Sequence, residues 1–149
     1  MIVADVNALV CAFRPETSLH ELARGALTEN RDQGSLIVLP DIAASFVRIV
    51  TDKRLSTSPD KNDDALEFIE VLTANGHLLR EARASRWKSL RHLIELTGVS
   101  GPLVPDALIA ATGLDFDAPV LTADRDFLKF PGLRVQLITP LGIIDHPVA

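Results

Sequence analysis

At 149 residues, with 47% hydrophobic and 23% charged residues, the chain has the size and balance of one compact domain, which excludes disordered and fibrous classes. The longest stretch free of Asp, Glu, Lys and Arg is ten residues, at Leu96–Pro105 and again at Val135–Ile144, against the roughly 20 apolar residues of a membrane-spanning helix. A net charge of −5 rules out the basic surface of an ordinary nucleic-acid binder, and six Phe, one Trp and no Tyr argue against a base-stacking module.

The opening Met1-Ile2-Val3-Ala4-Asp5 has no basic segment ahead of an apolar one, so no secretory leader is expected. The lone Cys11 allows no intramolecular disulfide and fits a reducing, cytoplasmic setting, where it reads as a small buried apolar residue.

Ile2 to Val10 is a short apolar run that holds Asp5 and Asn7, and its start reads as a buried strand. Leu19 to Arg31 has apolar residues at Leu19, Leu22, Ala23, Ala26 and Leu27, the spacing of an amphipathic helix that Gly34 ends. Leu36–Leu39 predicts a second strand. Pro40-Asp41 opens a helix through Ile42, Ser45, Phe46, Ile49 and Val50. Ser58-Pro59-Asp60 marks another helix start, with Ala65, Phe68, Ile69 and Leu72 on one face until Asn75-Gly76, and a brief strand is expected at His77–Leu79. Ala84–Thr97 reads as a helix with Trp87, Leu90, Ile94 and Thr97 along its buried stripe. Pro105 suits a first helical turn, so Asp106–Thr112 is expected as a helix closed by Gly113. Strands follow at Pro119–Thr122 and Val135–Ile138, and Pro140–Ala149 reads as a tail. This alternation favours one α/β domain over residues 1–149, with a parallel sheet covered on both faces.

Four acids fall near strand exits, where open parallel sheets bind ligands: Asp5, Asp106, Asp124 and Asp126. Clustered carboxylates between apolar neighbours repel one another unless a cation neutralises them. Oxygen-only donors select Mg²⁺ or Mn²⁺, and Mg²⁺ retains water that can be activated for attack on phosphorus, so phosphodiester hydrolysis is the natural reaction. Each acid alone has a plainer use: Asp124 as a turn cap, Asp106 as a first-turn acid, Asp126 as a partner of Arg125 or Lys129, and Asp5 as a hydrogen-bonding group.

Four segments in order, Ile2-Val3-Ala4-Asp5-Val6-Asn7-Ala8-Leu9, Phe46-Val47-Arg48-Ile49-Val50-Thr51, Val104-Pro105-Asp106-Ala107-Leu108-Ile109-Ala110-Ala111 and Leu121-Thr122-Ala123-Asp124-Arg125-Asp126-Phe127, resemble the PIN domain over nearly the whole chain. Within that fold they look like the VapC ribonucleases of bacterial toxin–antitoxin pairs. The resemblance implies a three-layer α/β/α domain with a mainly parallel sheet, Mg²⁺-dependent endoribonuclease activity (Mn²⁺ as a substitute), homodimers, and inhibition by a small VapB-like antitoxin. It also implies that Asp5, Asp106 and Asp124 are catalytic and bind metal, with Asp126 as a further acid. Asn7 matches a small polar position that orients the first Asp or a water at the metal, or serves structure alone.

One position departs from the resemblance. The family normally carries a Glu one residue before the Phe-Val-Arg-Ile-Val-Thr stretch, and this chain has Ser45 there. A hydroxyl lacks the full negative charge, so metal binding is expected to weaken. Asp41, one helical turn earlier, could reach the same region or cap the helix after Pro40.

Arg80, Arg83, Arg86, Lys88 and Arg91 put five of the 15 basic residues within twelve positions, opposed only by Glu81. This is the expected substrate face, with Arg83, Arg86 and Arg91 as candidate RNA contacts, although a solvated helix face fits as well. Arg48, Lys53 and Arg54 form a smaller basic group, and Arg14 is a third candidate for substrate or antitoxin. His20 and His92 lack partners at metal-binding spacing. The leading expectation is a metal-dependent endoribonuclease. The alternative is a binding module that keeps the fold and has lost most catalysis through Ser45. An aspartate-nucleophile phosphatase fits less well, because Thr122-Ala123-Asp124 follows the PIN pattern.

Overall fold

Short apolar runs form the sheet and the longer periodic segments form its cover in the computed structural model, which describes residues 1–74 and 81–148. Strands β1 (Ile2–Ala4), β2 (Leu36–Ile37), β3 (Val120–Thr122) and β4 (Val135–Thr139) are parallel, and β5 (Gly142–His146) returns antiparallel along β4. Their order across the sheet is β2-β1-β3-β4-β5. The helices are α1 (Val6–Phe13), α2 (His20–Asp32), α3 (Pro40–Thr51), α4 (Asn62–Thr73), α5 (Arg86–Thr97) and α6 (Val104–Phe116), with 3-10 turns at Gly101–Leu103 and Arg125–Lys129. This is the expected three-layer α/β/α arrangement around a mainly parallel sheet.

The central strands are apolar on both faces, as a doubly covered parallel sheet requires: Val3, Ala4, Val120 and Leu121 are fully buried. Strand β1 lies between β2, the next strand in the chain, and β3, which returns only after four helices. The chain order therefore reverses between β1 and β3. A crevice forms outside their carboxyl ends, and α1 and α6 start beside it.

Besides shifted helix starts, such as α4 at Asn62 in place of Ser58-Pro59-Asp60, the structure refines the sequence reading at five places. First, β1 stops at Ala4, because Asp5 takes an extended conformation (φ −80°, ψ 156°) and caps α1, accepting from Val6 N at 2.6 Å. Second, β2 covers only Leu36–Ile37, although Val38 and Leu39 stay buried. Third, α6 runs through Gly113 to Phe116: a Cβ on Gly113 would lie 2.8 Å from Leu133 Cδ1 and 3.0 Å from Ala118 O, so this glycine permits close helix-to-sheet approach and does not end the helix. Fourth, the buried stripe of α5 is Arg86, Leu90 and Leu93, while Trp87 is 68% exposed. Fifth, the expected tail after Pro140 pairs as β5: the Thr139 hydroxyl donates to Gly142 O at 2.8 Å and accepts from Leu141 N at 3.2 Å, closing a tight hairpin. The helix stop at Asn75-Gly76, the strand at His77–Leu79 and Arg80 lie outside the described residues.

Candidate active site

Asp5 is only 3% exposed at the exit of β1. Its backbone N–H donates to Leu121 O at 3.0 Å and so completes the β1–β3 ladder. Both carboxyl oxygens accept hydrogen bonds, Oδ1 from Val6 N at 2.6 Å and Oδ2 from the Thr122 hydroxyl at 2.7 Å. Burial nevertheless pushes its pKa up to about 7, held back by those two bonds and raised further by the charges of Asp106 and Asp124.

Thr122 organises the other side of the crevice. Its hydroxyl has one proton, which the shorter bond assigns to Asp5, and it accepts from Asp124 N at 2.9 Å. Asp124 Oδ1 in turn accepts from Asp126 N at 2.8 Å and fixes the 3-10 turn that follows β3. Asn7 Oδ1 accepts from Ala123 N at 2.9 Å and so ties α1 to the exit of β3. Asn7 therefore has a structural task that occupies its oxygen, and it also lines a pocket with Asp5, Val10, Ile49 and Asp106.

Asp106 enters from the first turn of α6, behind Pro105. It shares a cavity of about 490 Å³ with Asp5, Asp41, Ser45 and Arg48, between walls that include Ile42, Ile49, Pro105 and Ile109. Burial raises the Asp106 pKa first, then the charges of Asp124 and Asp126, opposed by Lys129. Asp126 is exposed, and its carboxylate lies 3.4 Å from the Lys129 ammonium. The fold thus brings all four acids into one electrostatic neighbourhood. Asp5 and Asp106 share the cavity, and Asp124 and Asp126 stand beside it.

This donor set suits a hard cation. A carboxyl whose pKa is raised by burial, and further by two carboxylate neighbours, is relieved by positive charge, and the donors are all oxygens. Among the described residues no three acidic, His or Cys side chains are grouped tightly enough to hold a single ion together. That looseness accords with Mg²⁺, which usually binds through one or two carboxylates and keeps several waters.

Helix α3 supplies the opposite wall with a stripe of Asp41, Ser45 and Arg48 at i, i+4 and i+7. The Ser45 hydroxyl donates back to Asp41 O at 2.9 Å. Asp41 is not the N-cap, which is Leu39; its carboxylate pairs with Arg86 Nη2 at 2.8 Å.

The arginines expected to form an RNA face serve other contacts. Arg86 is 8% exposed and buried against α3, so as a surface phosphate contact it is corrected: it belongs to the interior of the fold. Arg83 donates to Asp115 O at 2.9 Å and stacks 4.4 Å over the Phe116 ring. Arg91 pairs with Glu95 at 2.8 Å along its own helix. Arg14 bonds Asp60 and Val50 O, which pins the segment after α3 and makes it a structural residue. His20 Nδ1 lies 3.0 Å from Cys11 O, and His92 is exposed. Sequence reasoning passed over Thr122, although a lone hydroxyl closing an apolar run two residues before Asp124 was a readable signal.

A PIN domain family model matches residues 2–133. A VapC ribonuclease from Mycobacterium bovis and ribonuclease VapC43 from Mycobacterium tuberculosis are each 35% identical over 136 residues, covering 90% of this chain and 92% of theirs. Ribonuclease VapC25 from M. tuberculosis is 31% identical over 136 residues, 90% of this chain and 96% of its own. The crystal structure of VapBC2 from Rickettsia felis bound to a promoter DNA fragment superposes with a TM-score of 0.66 at 17% identity, covering 93% of this chain and all of that one.

Proposed function

The chain belongs to the PIN-domain family, in its VapC group, and from that membership we propose that it is a divalent-metal-dependent endoribonuclease, the toxin of a toxin–antitoxin pair. The observation that carries the reading is Asp5: a buried carboxyl at the reversal point of the sheet, raised to about 7 and repelled by Asp106 and Asp124. Such a group is costly unless a cation is to be held there.

Asp5, Asp106 and Asp124 would hold Mg²⁺ or Mn²⁺, in part through waters that the cation keeps, with Asp126 assisting. When bound, the cation supplies Lewis acidity and neutralises charge on the phosphodiester during hydrolysis. Thr122 keeps the Asp5 carboxyl in place and steers Asp124 through its backbone N–H. Asn7 locks the start of α1 to the segment that bears Asp124. The apolar walls from Ile42, Ile49 and Pro105 limit water around the reacting phosphate.

RNA as substrate is supported by the ribonuclease names of the relatives, and a VapB-like partner by the VapBC neighbour. A homodimer and a cytoplasmic location complete the proposal; among the described residues no helix is long and apolar enough to cross a membrane. A second reading, a binding module with little catalysis, draws on Ser45, which gives the cavity a hydroxyl where the family resemblance has a carboxylate.

Cleavage of single-stranded RNA by the purified chain, with Mg²⁺ and with EDTA, separates the two. The nuclease reading expects Mg²⁺-dependent cleavage that Asp5→Asn abolishes. Asn also caps helices well, so α1 should survive that change. Cleavage undiminished in Asp5→Asn would overturn the reading, and RNA binding without cleavage would favour the module.

A further inference from the structure

An acidic crevice on a chain of net charge −5 repels the polyanion it is to cleave, so the substrate strand needs a fixed cation close to the carboxylates. Most of the basic side chains considered for the substrate face are engaged; Arg125, between Asp124 and Asp126, is exposed and makes no ion pair among the described residues, but it does not line the cavity. Arg86 is paired with Asp41, Lys129 with Asp126, Arg91 with Glu95, and Arg83 with the Asp115 carbonyl and the Phe116 ring. Arg54, just beyond the end of α3, holds Asp52 through three hydrogen bonds, and the charge of Arg48, one turn back, acts on the same acid without forming an ion pair with it.

Arg48 is exposed, it lines the 490 Å³ cavity that holds Asp5 and Asp106, and among the described residues it is the only cation lining that cavity. Among the described residues it makes no ion pair and no side-chain hydrogen bond. We propose that Arg48 is the substrate-positioning residue of the site and grips a phosphate of the RNA backbone adjoining the one that is cleaved. The inference rests on the nuclease reading above.

A guanidinium suits this task because its planar fork binds phosphate through two parallel N–H bonds and stays charged at any working pH. Its place on α3 sets it apart from Asp5 and Asp106, while Asp41 on the same helix is paired with Arg86, so the strand runs from the acids on one wall to the cation on the other. The apolar surface of Ile49 and Pro105 in the same cavity reduces screening and accepts the uncharged part of a nucleotide. Backbone contacts of this kind fix register and carry no sequence information, so Arg48 should serve all RNA sequences alike.

The test compares Arg48→Gln with Lys53→Gln, an equal change of charge at an exposed residue five positions on and outside the cavity. Binding of a fluorescein-labelled single-stranded RNA is followed by anisotropy in the Asp5→Asn background against salt, and cleavage is followed with Asp5 intact. Arg48→Gln should weaken binding roughly tenfold and reduce the log–log salt slope by about 0.7, while Lys53→Gln changes affinity less than about twofold. In cleavage, KM should rise with kcat nearly kept, and Arg48→Lys should recover part of the loss. Equal effects of the two Gln variants, in a chain that still cleaves RNA, would overturn the role of Arg48 alone. A chain with Asp5 intact that neither binds nor cleaves RNA would overturn the nuclease reading and this inference together.

Discussion

The Thr122 hydroxyl donates to Asp5 Oδ2 at 2.7 Å and joins the last residue of β3 to the residue just past β1, the two strand exits between which the chain order reverses. Both side chains are buried, and the same hydroxyl accepts from Asp124 N. Thr122→Val keeps the shape, deletes the donor and acceptor together, and strands two polar groups. It should cost about 1–3 kcal/mol in urea unfolding. It should also raise the Asp5 pKa further, since the Thr122 bond is the largest influence lowering it. The pH midpoint of Mg²⁺ binding then moves upward, and Thr122→Ser restores both properties.

Stability without metal should fall as pH rises. The Asp5 pKa is about 7 in the fold against an ordinary 3.8, so between those values the folded chain holds a proton that the unfolded chain has released. At about 1.4 kcal/mol per unit, up to about 4 kcal/mol present below pH 3.8 is lost by the time pH passes 7. Asp106 is shifted in the same direction and adds to the slope. In EDTA, Tm should therefore be lower at about pH 8 than at about pH 5, and Asp5→Asn should flatten the difference. Mg²⁺ binds the ionised carboxyls, so its stabilisation should be larger at the higher pH. A Tm that climbs from acid to neutral pH in EDTA, with the same slope in Asp5→Asn, would remove the electrostatic basis of the site.

The acids of the site were readable in the sequence because each breaks an apolar pattern: Asp5 after Ile2-Val3-Ala4, Asp124 after Val120-Leu121-Thr122, and Asp106 at the opening of an apolar helix. What the pattern leaves open is rotation about an axis. On α5 the stripes 87, 90, 94, 97 and 86, 90, 93, 97 overlap, and composition favours Trp87 as the buried member. The fold selects Arg86, because Asp41 on α3 stands within reach to pair its charge. Partners from distant segments are likewise invisible to spacing, which is why Arg83 and Arg86 read as part of one basic face and turn out to hold contacts on α6 and α3, whereas the Arg91–Glu95 pair lies at i, i+4 on one helix and was open to reading. The β4–β5 hairpin was hidden because Pro140 reads as a terminator, while here it occupies a tight turn.

Arg86 and Asp41 make a measurable latch between α5 and α3. The Arg86 side chain is 10% exposed and its Nε has no partner, whereas Asp41 is 45% exposed, so the pair is asymmetric. Asp41→Ala leaves a nearly buried guanidinium without its counter-charge and should cost about 2 kcal/mol in stability. Arg86→Met, which keeps the apolar stem and frees an exposed acid, should cost less. The double variant should recover part of the Asp41→Ala loss, with a coupling of about 1 kcal/mol in a double-mutant cycle read by urea unfolding. Additive effects would show that the charges do not act on each other. RNA affinity corrected for the folded fraction should fall less in Arg86→Met, which leaves Asp41 unpaired in the cavity, than in Arg48→Gln, which removes the phosphate contact itself.

Ser45 is the position where one atom group should decide the strength of the proposed metal site. It faces the cavity of Asp5 and Asp106 from the middle of the α3 stripe, and among the described residues its side chain makes only the local hydrogen bond to Asp41 O. Ser45→Glu loses little with that bond and adds a fourth carboxylate to a cavity lined by Asp5, Asp41 and Asp106, on a wall that now offers a hydroxyl between Asp41 and Arg48. Cation affinity at carboxylate sites follows the number of charged ligands, so Mg²⁺ should bind roughly tenfold more tightly by calorimetry. Ser45→Gln is the control of equal length without charge and should bind as the unsubstituted chain does. Because the added carboxylate also stands three residues from Arg48 on the helix, it competes for the cation proposed to hold RNA. Tighter Mg²⁺ binding should therefore come with a raised KM for RNA, and identical Mg²⁺ affinity in Ser45→Glu and Ser45→Gln would show that α3 does not face the cation.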